Sequence, residues 1–82
     1  MNVHTIELPA RIRHEVLKLV AAIQVGETAQ SVGMACQRAE GFVLGLETAV
    51  ALRNGTIEAL YVSFELAGAL KRQNLDLEQH RL

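Results

Sequence analysis

The chain has 82 residues, half of them apolar, and a formal net charge of -1. That length allows one domain, near the lower size at which a single core holds a chain together. The near-neutral charge excludes a global attraction to phosphate backbones or anionic lipid, so nucleic-acid binding would need a local basic patch.

Residues 1–8 are expected to form a short extended arm, in which "TIEL" sets Ile6 and Leu8 on one side and Thr5 and Glu7 on the other. Pro9 is the only proline and opens a first helix of about 9–25, because a missing N–H is harmless in a first turn. Ile12, Val16, Leu19 and Ile23 then recur at spacings of four, three and four. The opposite face carries Arg11, Arg13, His14, Glu15 and Lys18. Arg11, Arg13, His14 and Lys18 are the charged face that an acidic partner would meet, with Glu15 placed to pair with Arg11 one turn away. Gly26 and Thr28 read as a stop and a restart, since glycine suits a helix C-terminus and a threonine oxygen caps the next N-terminus.

The second helix, 28–52, carries the clearest period in the chain. Ala29, Val32, Cys36, Ala39, Val43, Leu46 and Val50 alternate steps of three and four, and Ala35, Phe42 and Ala49 widen the stripe. It is expected to end at "RNG", where Arg53 complements the helix dipole and Asn54 or Gly55 takes the left-handed cap. Gly33, Gly41 and Gly45 each weaken a helix by about 1 kcal/mol relative to alanine. Gly41 and Gly45 lie one turn apart beside Leu44, off the main stripe, which predicts a second contact surface on the back of the helix.

Thr56 and Glu58 favour the start of a third helix, 56–75. Ile57, Leu60, Phe64 and Ala67 cover one face of it, and Ala59, Val62, Leu66 and Leu70 much of another. Only Glu58, Tyr61, Glu65, Gly68 and Arg72 leave a polar or small strip. A helix apolar over most of its circumference must be covered on several sides. Two short neighbours do not suffice, so a second subunit is expected. Residues 76–82 are polar enough to fray. The expected architecture is thus one all-α, three-helix domain that assembles as a homo-oligomer, a dimer first. Its contacts should come from Val32, Cys36, Ala39, Gly41, Val43, Leu44, Gly45, Leu46, Leu60, Phe64 and Leu66.

Chemistry-bearing patterns are sparse. Cys36 is the only cysteine, so neither an intrachain disulfide nor a CxxC metal pair is available, and its place on the apolar stripe predicts a buried, inert thiol. His4, His14 and His80 are scattered and Asp76 is the only aspartate. No zinc-protease helix, phosphate-cradling glycine loop or nucleophile elbow occurs, so no catalytic residue, metal site or cofactor is nominated and an enzyme is not expected. The first residues lack a secretory signal pattern, and the longest mostly apolar run, "GFVLGLETAVAL", is short and contains Glu47. No membrane association is expected, and the cytoplasm is the expected address.

Two patterns point toward DNA. Ala29, Gly33 and Ala39, supported by Val32, Met34 and Phe42, take the relative positions of a helix-turn-helix, with its turn at Gly33. Its reading helix, "ACQRAEGF", sets Arg38 beside Glu40, and over residues 25–65 five glutamates oppose two arginines, a local net of -3. Separately, "TIELPARIRHEVLKLV" resembles the start of the ribbon-helix-helix repressors over less than half of the chain: a short strand, Leu-Pro, then Ile12, Val16, Leu19 and Val20. The resemblance implies a dimer whose paired strands turn Thr5 and Glu7 toward bases. The favoured expectation is a non-enzymatic protein-interaction module, a small regulator or inhibitor of a larger partner. A dimeric DNA-binding regulator of ribbon-helix-helix or helix-turn-helix type is the alternative.

Overall fold

The computed structural model describes residues 3–79. A one-turn 3-10 helix, Val3–Thr5, precedes three α-helices: α1 (Ala10–Gln24), α2 (Ala29–Thr48) and α3 (Asn54–Gln79). No strand occurs among the described residues. Tyr61 reaches Glu47 while Gly68 lies against Cys36, so α2 and α3 are antiparallel. Gln24, the last residue of α1, lies beside Ala67, Leu70, Lys71 and Asn74 in the later half of α3, so α1 and α3 run the same way. The bundle therefore goes up, down, up.

The helix starts follow local chemistry. Pro9 caps α1 in an extended conformation, and its carbonyl accepts the first helical N–H, from Arg13, at 2.9 Å. Thr28 caps α2 through a reciprocal box: its Oγ1 accepts from the Ser31 N–H at 3.0 Å, and Ser31 Oγ accepts from the Thr28 N–H at 3.1 Å. The glycine between these helices has a different role from the one expected. Gly26 has no positive φ; instead, a Cβ there would lie 2.7 Å from Val32 Cγ2. Its small size lets the connection pass close to α2.

The boundary between α2 and α3 departs from expectation. α2 stops at Thr48, four residues early, and the left-handed position is taken by Val50, with φ 52°. The Val50 N–H bonds to the Glu47 carbonyl and the Ala51 N–H to the Leu46 carbonyl, both at 3.0 Å. This pair of bonds is a Schellman closure, usually built on glycine. Asn54 and Gly55, the expected cap, are instead the first residues of α3. At the other end, α3 continues through Gln79 rather than fraying after residue 75, because Leu75 is buried and joins the core. His80 and the rest of the expected tail lie outside the described residues. α2 also runs helical straight through Gly33, so residues 29–48 lack the turn that a helix-turn-helix requires.

The core takes Val16, Leu19 and Ile23 from α1, Val32, Cys36, Ala39 and Val43 from α2, and Ile57, Leu60, Phe64 and Leu75 from α3. Val3 and Ile6 close one side of it. Arg13 Nη2 donates to the Ile6 carbonyl at 2.9 Å and ties this N-terminal segment to α1. Ser63, the one buried polar residue among those described, donates to the Ala59 carbonyl at 2.8 Å, so its hydroxyl enters the interior satisfied.

Candidate functional site

The residues expected at an interface divide into two groups. Val32, Cys36, Ala39, Val43, Leu60 and Phe64 are buried within the single chain, Phe64 to 1% exposure, and Leu46 is half-buried. Their surface is already covered by their own neighbours. Gly41, Leu44, Gly45 and Leu66 are exposed. On the outer face of α2, Met34 and Leu44 stand in solvent, and a Cβ added at Gly41 or Gly45 would meet nothing within 4 Å.

On α3, three large exposed apolar residues lie outside the expected set: Val62, Leu70 and Leu77. With Leu66 they form a stripe on α3, each between 43% and 61% exposed. Helical geometry turns Val62 and Leu66 well away from Leu60 and Phe64, with Leu70 and Leu77 on the flank between the two faces. The regular four-residue step from 62 to 66 to 70 was the available signal for Val62 and Leu70. Leu77 sits in the segment expected to fray. Beside the stripe runs an open groove of about 520 Å³, bordered by Val20 and Gln24 of α1 and by Ser63, Leu66, Ala67 and Leu70 of α3. Val3 and His4 close one end of it.

The charged face of α1 is partly used within the chain. Arg13 is half-buried and bonded to Ile6, while Arg11 and His14 are exposed. Lys18 Nζ lies 3.7 Å from Glu15 Oε1, a one-turn pair that replaces the expected Arg11–Glu15 contact. Both side chains are well solvated, so this pair adds little. On α3, the Tyr61 hydroxyl donates to Glu47 Oε1 at 3.2 Å. Its phenol is held above the usual 10.0 by desolvation first, then by the Glu47 hydrogen bond and the negative charges of Glu47 and Glu40.

Among the described residues no group of three His, Cys, Asp or Glu side chains comes together to hold a metal ion. Cys36 is a free, buried thiol against Gly68. No helix among the described residues is long and apolar enough to cross a membrane. Compared with known proteins, the chain matches no family model, no curated sequence and no solved structure.

The surface area itself is informative. The chain exposes 5866 Å², against about 4,900 Å² for a monomeric protein of 9.0 kDa. Its radius of gyration is 13.4 Å and its extents are 47 × 21 × 18 Å, where a compact chain of this length would measure about 12 Å in radius of gyration. The apolar stripe of α3 is part of the exposed surface.

Proposed function

We propose that this chain is a non-enzymatic interaction module that forms a homodimer through the outer face of α3. In the cytoplasm it would act as a small regulator or inhibitor on a larger partner protein. The observation that carries the reading is the surplus of exposed surface, about 1,000 Å² beyond a self-sufficient chain. One partner contributes about 800 Å² to a standard interface, so the surplus is of the size a second copy would cover. Val62, Leu66 and Leu70 supply the apolar centre, whose removal from water contributes roughly 25 cal/mol per Å² before the costs of association. The outer face of α2, with Met34, Gly41, Leu44 and Gly45, is left for the outside partner, because its two glycines let another backbone approach closely.

Sedimentation equilibrium over the micromolar range tests the reading. The expected mass is about 18 kDa, twice the 9.0 kDa of one chain; a single 9.0 kDa species at every concentration refutes self-association. Gel retardation with duplex DNA addresses the choice of partner. Binding at low salt that falls steeply as salt rises would move the assignment to a DNA-binding regulator.

A further inference from the structure

The exposed face of α3 can be laid out on a seven-residue repeat in which Val62, Leu66 and Ala69 are apolar and exposed, Ala59 is half-buried against the core, and Gln73 and Asp76 are polar. Ala59, Leu66 and Gln73 occupy one seam position, and Val62, Ala69 and Asp76 the other. Glu58, Glu65 and Arg72 line one edge of this seam, while Leu70 and Leu77 line the other, whose third position, Ser63, is buried within its own chain. Glu65 and Arg72 are exposed, and neither forms an ion pair among the described residues.

These edges discriminate between orientations of a second α3. In a parallel pair, each edge meets the opposite edge of the second copy. Glu65 and Arg72 would then face Leu70 and Leu77, and Asp76 would face a second Asp76 within one layer. In an antiparallel pair, each edge meets itself. Glu65 then opposes Arg72 of the second copy, twice by symmetry.

The same register stacks Leu66 on Ala69 twice at the centre, large against small, as close packing prefers. Val62 falls opposite Gln73, and Asp76 opposite Ala59. The axis that this register demands passes between residues 67 and 68, one residue from the midpoint of α3 (Asn54–Gln79). Nearly the whole helix, about 39 Å at 1.5 Å per residue, is therefore shared.

We infer that the occupant of this face is the α3 of a second copy, antiparallel, with a two-fold axis between residues 67 and 68 and reciprocal Glu65–Arg72 pairs that set the orientation. This rests on the self-assembly proposed above and adds its direction and register.

Two chains, each in a Cys36→Ala background, test it: one carrying Val62→Cys, the other Gln73→Cys. They are treated with a short thiol-to-thiol cross-linker, alone and mixed, alongside sedimentation of the untreated protein. The expected result is a mixed 62-to-73 product, with no self-linked product from either chain alone. Self-linking of each chain by itself means a parallel pair and overturns the inference. A dimeric mass with no product at either position places the interface elsewhere and overturns it too, leaving self-assembly intact. A monomeric mass overturns both.

Charge exchange supplies a second measurement at exposed positions. Glu65→Arg alone should loosen the dimer about tenfold, which at 1.4 kcal/mol per decade matches two facing pairs turned repulsive. Combining Glu65→Arg with Arg72→Glu should restore the affinity to within about twofold. A single variant without effect, or a double variant as weak as the single, overturns the pairing.

Discussion

Along α3, Leu60 and Phe64 are buried in the interior, while Val62 and Leu66, each two residues further on, stand in solvent. Both faces are built from the same residue types at the same helical spacing. What differs is coverage: α2 closes over the inner face, whereas a groove opens between α1 and the outer one. Two partners of 15 and 20 residues cannot enclose a 26-residue helix that is apolar on two sides. On the proposed reading, the apolar face with no cover inside its own chain is where a second chain docks, and substitutions on the two faces should have opposite signatures.

The largest effect belongs to the inner face. Phe64→Ala removes the largest fully buried side chain and should cost about 3–5 kcal/mol. For a chain of this size that is a large fraction of the total stability, and the melting temperature should fall by more than about 10 °C. Urea denaturation gives the figure directly. A loss below about 1 kcal/mol would mean that the inner face is not the core and would erase the contrast between the two sides.

A smaller effect tests how tightly the inner face meets α2. A Cβ on Gly68 would lie 2.6 Å from Cys36 Sγ, a distance at which the thiol must rotate away or the two helices must part. Gly68→Ala gains about 1 kcal/mol of helix propensity but loses about 1–3 kcal/mol to overpacking, so a net loss of about 1 kcal/mol is expected. In a Cys36→Ala background the obstruction is gone and the same substitution should stabilise. The sign change, read from a double-mutant cycle, measures the coupling across this contact. Additive effects would place α2 and α3 further apart than the geometry requires.

The period of α2 makes its inward stripe legible in the sequence, and Val32, Cys36, Ala39 and Val43 are indeed buried together. The start at Thr28 is equally readable, because a threonine oxygen advertises a cap. The end of α2 is not. A β-branched residue is the least expected occupant of a left-handed position, so nothing in Val50 announces the closure, whereas Asn54 and Gly55 carry the usual signal without using it. Nor does helical spacing decide which apolar stripe of α3 turns inward, since Leu60–Phe64 and Val62–Leu66 have the same four-residue step. Only the placement of α1 and α2 separates them. The misfit at Val50 has its own consequence: Val50→Gly should stabilise the chain by about 1 kcal/mol, by relieving a left-handed conformation that costs roughly 1–2 kcal/mol with a Cβ. An unchanged melting temperature would show that the turn relaxes at no cost.

The smallest effect on the folded chain should come from the outer face, and that smallness is its diagnostic value. Leu66→Gln replaces a side chain already 43% exposed, so at high dilution its stability should match the parent within about 0.5 kcal/mol. The parent, however, gains stability from anything that binds only the folded form, so its melting temperature should climb as protein concentration rises. Leu66→Gln should flatten that climb while leaving the dilute limit in place. Phe64→Ala should do the reverse, lowering the dilute limit because its side chain lies inside the single chain. If both substitutions shift melting by the same amount at every concentration, the two faces of α3 are energetically alike, and the outer one has no partner to lose.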